Sequence, residues 1–147
     1  MFKRILIPTD GSAPSRRAIK RAVQFAREQK ARVHGFYVGP PWQLPVYSEY
    51  VPPEVISPKA HAAAVKKTAA RYLGEVKKAA RAAGVRCSVR YVLGAHPYDE
   101  IVKEARRRRC DLIAIASHGR RGISRLLLGS ETSKVLAHSG VPVLVCH

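Results

Sequence analysis

Apolar positions along this chain recur with two different periods. Ile5-Leu6-Ile7-Pro8 is a short apolar run behind Lys3-Arg4 that stops at Thr9-Asp10-Gly11-Ser12, which predicts a buried strand closed by a turn. From Pro14 to Lys30 the period lengthens. Ala18, Ile19, Ala22, Val23 and Ala26 recur at helical spacing, while Arg16, Arg17, Lys20, Arg21 and Arg27 hold the other face. Residues 31–38 predict a second strand, ended by Gly39-Pro40-Pro41. Lys59–Ala83 is rich in alanine and lysine and predicts a second helix, with Gly84 as its stop. Val85–Val92 alternates apolar and polar, the pattern of a half-covered strand. A third helix opens at Pro97, with Asp99 and Glu100 at its positive end and Arg106–Arg109 at its negative end. Asp111–Ser117 is the most continuous apolar run, as a strand covered on both faces requires. A last helix, Ser130–His138, leads to a final strand, Val141–Cys146, where Pro142 suits an edge position.

Strands alternating with helices predict a single α/β domain over residues 1–147. Its expected form is a doubly wound, five-stranded parallel sheet sandwiched by four helices, Rossmann-like in plan. Ligands on such sheets bind outside the carboxyl ends of the strands, where strand order reverses. That rule points to Thr9–Ser12, Tyr37–Pro41 and Ser117–Ser130. The stretch from Gly39 to Pro58, with Trp42, Tyr47 and Tyr50, is too long for a plain connection and reads as a lid or contact surface.

Composition adds one unusual fact. The chain has 147 residues, 46% hydrophobic and 25% charged, which fits an ordinary globular domain, but 27 Lys plus Arg against 10 Asp plus Glu give a net charge of +17. Anionic partners are favoured, although the charge names a sign and not a ligand. The Arg106–Arg109 run reads as a solvated helix end rather than a nucleic-acid patch, and nucleic acid is not the expected partner. No apolar run approaches the ~18–20 residues of a membrane span, and no signal-peptide pattern opens the chain, so a cytoplasmic location is expected. Cys87, Cys110 and Cys146 lack metal-ligand spacing and read as reduced, mostly buried residues.

The candidate chemistry lies on the predicted rim. Gly119 and Gly122 follow the central strand and Gly129-Ser130 precedes a helix, an arrangement in which backbone N–H groups can hold phosphate oxygens, with Arg120, Arg121 and Arg125 beside them. Glycine before a helix also serves plain turns. Asp10 is equally a turn aspartate, His118 a polar strand-end residue or a phosphate donor, and Ser130 a helix cap.

At these residues the sequence resembles the universal stress proteins of the UspA type. The resemblance runs through Ile5–Ser12, Ala116–Gly122, Leu126–Ser130 and Val141–Val145. The nucleotide-binding branch of that family carries G-x2-G-x9-G-[S/T]; Gly119, Gly129 and Ser130 match it, and Ala116 stands at the first glycine. The resemblance implies an adenine nucleotide, ATP or a relative with Mg²⁺ on its phosphates. Asp10 would meet the nucleoside end, the Val38 backbone the adenine, and Gly119, Gly129 and Ser130 the ribose and phosphates. Thr9, Ala116, His118, Arg120 and Glu131 complete the expected site. It also implies a homodimer through the last strand, with Val141, Val143 and Val145 at the interface. No catalytic set is present in the sequence, so a binding or signalling module is expected, with slow ATP hydrolysis or self-phosphorylation at Ser130 as the one enzymatic alternative. Two further alternatives are a nucleotide-free interaction protein in which Ala116 marks a degenerate phosphate site and the basic surface recruits an acidic protein, and, as the less expected one, nucleic-acid binding driven by the +17 charge.

Overall fold

Each apolar run becomes a strand of one parallel sheet, in a computed structural model that describes residues 1–43, 57–119 and 127–147. In chain order the elements are β1 (Arg4–Pro8), α1 (Ala13–Gln29), β2 (Arg32–Gly39), α2 (Pro58–Ala83), β3 (Cys87–Leu93), α3 (Pro97–Arg107), β4 (Leu112–Ala116), α4 (Ser130–His138) and β5 (Val143–Cys146). The strands lie in the order β3-β2-β1-β4-β5. The chain therefore builds outward from β1 to one edge and returns to its other side, and the reversal falls between β1 and β4.

Alternation along the strands divides the core into two layers. Ile5, Ile7 and Ala114 pack with Ile19, Val23 and Ala26 of α1 and Val76 of α2. Leu6, Phe36, Ile113 and Ile115 face the other way, onto Ile101 and Ala105 of α3 and Val135 of α4. Helix ends follow local chemistry: the Ser12 and Ser57 hydroxyls accept from the N–H of Ser15 and Ala60, and proline fills a first-turn position in α1, α2 and α3.

Two expectations need correction at the edges. The last strand begins at Val143, because Val141 is held in a turn in which its N–H donates to Ser139 Oγ (3.2 Å) and its carbonyl accepts from the same hydroxyl (2.6 Å). Val141 thus stands before the edge strand, although the Pro142 carbonyl still accepts from Ile113 N–H (3.0 Å). Strand β3 begins at Cys87 rather than Val85. Its polar positions also do more than face solvent. Ser88 donates to Nδ1 of the buried His34 (2.7 Å), and Arg90 pairs with Glu104, which is 2% exposed.

That contact belongs to a buried polar cluster joining β2, β3 and α3. Glu104 Oε1 accepts from His34 Nε2 (2.9 Å) and from Arg108 Nε (3.1 Å), and its other oxygen takes the Arg90 guanidinium. A carboxylate can only accept, so His34 carries its proton on Nε2 and receives the Ser88 hydroxyl at Nδ1. Burial pushes the His34 pKa below its ordinary value, outweighing the attraction of Glu104. Burial works against ionised Glu104 too, but the hydrogen bonds from His34 and Arg108 and the Arg90 charge overcome it and hold the carboxyl below its usual range.

Candidate functional site

The turn after β1 is built from its own side chains. Thr9 N–H donates to the Phe36 carbonyl (2.9 Å), Ser15 Oγ donates to Thr9 Oγ1 (2.8 Å), and Asp10 Oδ1 accepts from Ser12 N–H (2.9 Å). Asp10 is therefore a turn aspartate, as Asp-Gly-Ser foretells, but the turn aims it across the reversal point. Its Oδ2 lies where a Cβ on Gly119 would clash with it. Gly119 is required by close approach, which joins the first turn of the chain to the segment leaving β4.

At the end of β2 the backbone supplies the polar groups. The Phe36 carbonyl faces β1, so alternation turns the N–H and C=O of Val38 to the same side, past Pro8, the last β1 residue in register. They point over the crevice. Gly39 faces the opposite way, its carbonyl accepting from Gly94 N–H (3.0 Å).

Beyond β4, Ser117 turns the chain and its carbonyl accepts from Gly129 N–H (2.8 Å), which brings the start of α4 back to the strand end. Thr132 Oγ1 donates to the Ala116 carbonyl (2.8 Å) and fixes that docking. Gly129, not Ser130, is the cap residue of α4, and it offers no side chain to the first N–H groups of the helix. Ser130 is the first helical residue and is exposed. Among the described residues no side chain caps the positive end of α4, an end that suits an anion. Glu131 reaches the other way, its Oε2 accepting from Tyr98 N–H (2.9 Å) at the start of α3 and its Oε1 lying 3.6 Å from Lys134 Nζ.

These elements enclose a cleft of about 180 Å³. Thr9, Asp10, Val38, Ala116, His118, Gly119 and Glu131 of the expected site line it, with Gly129 and Ser130 just outside at the α4 start. Arg120 lies outside the described residues, as do Tyr47 and Tyr50 of the long connection. Ser15, Phe36, Pro97, Ile101, Ile115 and Thr132 also line the cleft and escaped the sequence reading. Phe36, Ile101 and Ile115 carried only a core signal, and they make an apolar floor under a polar rim, the usual plan of a small-molecule site. The cleft is smaller than the ~300–1,000 Å³ of most such sites, so it fits one end of a nucleotide, with the phosphates left to the α4 start.

Ala116 is accommodated without strain. It is the last residue of β4 in ordinary strand conformation, 6% exposed, and its methyl packs with Ala18 and Cys146 on the α1 side of the sheet. His118 is half-buried with Nδ1 3.0 Å from Ser117 Oγ. Among the described residues, no group of three His, Cys, Asp or Glu side chains is placed to hold a metal ion, and no helix is long and apolar enough to cross a membrane.

The chain has relatives among known proteins. It is 36% identical over 148 residues to universal stress protein MJ0531 of Methanocaldococcus jannaschii, covering 99% of this chain and 82% of that one. The solved structure of protein MJ0577 superposes with a TM-score of 0.80 at 30% identity, covering 99% of this chain and 95% of the other. A universal stress protein solved in complex with cAMP superposes with a TM-score of 0.70 at 27% identity, covering 99% and 97%. The model of the Universal stress protein family matches residues 1–147. The chain belongs to the universal stress protein family.

Proposed function

We propose that this protein is a cytoplasmic, dimeric stress-response module that binds an adenine nucleotide in the cleft between β1 and β4. The observation that carries this reading is the convergence on one crevice of the Val38 backbone, the Asp10 carboxylate and the positive end of α4. An apolar floor of Phe36, Ile101 and Ile115 suits a purine, and the α4 start suits phosphates with Mg²⁺ riding on them. The cAMP complex of a relative supports the same ligand class. Glu131 is engaged with Tyr98 and Lys134, and Asp10 with its own turn, which supports a binding role rather than efficient turnover.

The test is to denature the purified protein, identify released nucleotide by mass spectrometry, and titrate the emptied protein with ATP and Mg²⁺ by calorimetry. Stoichiometric nucleotide or saturable binding is the expected result. Because the Ala116 methyl is packed away on the α1 side, Ala116→Gly is expected to change ATP affinity less than about threefold, while lowering stability by roughly 0.5–1 kcal/mol. An affinity gain of tenfold or more in Ala116→Gly, or no nucleotide at all, would favour the nucleotide-free interaction module.

The dimer half of the reading rests on the outer edge of β5, which pairs with no further strand among the described residues, and on exposed Leu127, Leu128 and Leu136 in the segment before it. Val143→Asp with Val145→Asp is expected to give monomer in light scattering; an unchanged dimer would place the interface elsewhere.

A further inference from the structure

The chain carries a net charge of +17, and nine of its cations meet at the end of the sheet opposite the cleft. Two hollows lie side by side where the strands begin. One, of about 530 Å³, is lined by Lys3, Arg27, Lys30 and Arg86; the other, of about 420 Å³, by Arg107, Arg108 and Arg109. Arg4 and Arg32 line both, and among the described residues no acidic one lines either. Among the described residues, Arg108 is the one cation of this group in an ion pair, with Glu104. The nearby Asp111 carboxylate is turned to the backbone N–H groups of Lys3 and Arg4.

Part of this charge has a local reason. Arg27, Arg106 and Arg107 sit in last turns of helices, where the dipole favours cations. The rest runs against local preference. Arg4 and Arg32 are register partners on adjacent strands, an arrangement that like charges oppose. The left-handed residues that stop α1 and α3 are Lys30 (φ 54°) and Arg109 (φ 52°), whereas α2 stops with glycine, the residue that takes this conformation without strain. Two strained positions and a like-charge pair thus all carry cations on one surface, and Arg107–Arg109 of the helix-end run belong to a wider patch.

We propose that this basic edge, centred on the Arg4–Arg32 pair and flanked by Lys30 and Arg109, docks the sugar–phosphate backbone of a nucleic-acid duplex. Arginine dominates the surface, and its planar fork suits phosphate oxygens. Among the described residues no Phe, Tyr or Trp ring lines either hollow, and the one ring that does, His34, is buried and held by Ser88 and Glu104, so the base stacking that holds single strands is missing, while a duplex presents its phosphates outward. Recognition is therefore independent of sequence. The surface is separated from the cleft by the length of β1, about 13 Å, so it is independent of the nucleotide reading.

The test uses a fluorescent 20-base-pair DNA duplex, anisotropy and a salt titration. Lys30→Gly with Arg109→Gly removes two cations where glycine is the less strained residue, so the thermal midpoint should hold or rise. Duplex affinity should fall about tenfold or more, and the slope of log K against log salt should flatten by about 1.8. Lys66→Gln with Lys67→Gln removes the same charge from exposed α2 positions and should leave affinity within about twofold. The proposal is overturned by absent duplex binding at 20 mM salt or by equal weakening in both double variants. It is also overturned if inorganic polyphosphate, anionic vesicles or a single strand is preferred over the duplex in a way the glycine pair abolishes.

Discussion

Replacing Glu104 with leucine is expected to destabilise the fold by about 3 kcal/mol, read as a loss of roughly 6–12 °C in thermal midpoint by circular dichroism. The figure follows from which partners are stranded. Arg90 and Arg108 keep 32% and 40% of their side chains exposed, so water can recover much of their charge. His34 cannot do the same. Its side chain is 6% exposed, and its Nε2–H would lose the one acceptor it has. Adding Arg90→Leu to Glu104→Leu is expected to return part of the loss, because one uncompensated cation leaves with it.

The same cluster sets an acid limit. Glu104 has a folded pKa below its unfolded value, so its contribution is present above the unfolded value and disappears as pH falls through the folded one. His34 also has a depressed folded pKa. The unfolded chain binds that proton first, so stability begins to fall as pH drops through the ordinary histidine value of about 6.5 and keeps falling to the folded value. Both groups act in one direction. Stability should decline from neutrality into acid, and more gently in Glu104→Leu with His34→Phe; equal declines in the variant and the parent would move the acid limit to other groups.

The second large effect concerns Gly119. A valine there is expected to lower ATP affinity by at least about 100-fold in calorimetry while leaving the far-ultraviolet spectrum unchanged. Its Cβ would clash with Asp10 Oδ2, so either the Asp10 carboxylate swings out of the crevice or the segment after β4 backs away from the first turn. Each outcome opens the site. Gly119 is partly exposed and follows the strand, so the sheet itself need not move. Unchanged affinity with intact folding would mean that the nucleotide, if bound, does not use this crevice.

The architecture was legible because periodicity and punctuation agreed. The apolar run at residues 111–117, the helical spacing from Ala18 to Ala26 and the stop at Gly84 each specify one element, and burial then leaves one layered arrangement. The rim of the cleft was legible for a different reason: Thr9, Asp10, Gly119 and Gly129 stand directly after strands or before a helix, where a doubly wound sheet puts its ligand. The cleft floor was not. Phe36 and Ile101 look like any core residue, since only the ends of neighbouring elements decide that one side of each faces a cavity. The Glu104 cluster was hidden more deeply. Glu104 lies among exposed charges in a helix of obvious amphipathic pattern, and its burial depends on His34 and Arg90, 70 and 14 residues away. The basic edge was hidden by dispersion, because Lys3, Arg32, Arg86 and Arg109 meet only through the parallel pairing of the strands.

The reversal of strand order divides the molecule into two wings. One is β1, β2 and β3; the other is β4 and β5. Within the wings, strands match over long registers, from Val33↔Cys87 to Gly39↔Leu93 between β2 and β3, yet across the seam only Ile5↔Leu112 and Leu6↔Ile113 are in register. The crevice opens directly above that short join. A nucleotide held there, touching Asp10 and Val38 on one wing and the α4 start on the other, would act as a clasp. Because it would touch both wings, occupancy of the site would add by mass action to the cohesion that the two core layers already give the sheet.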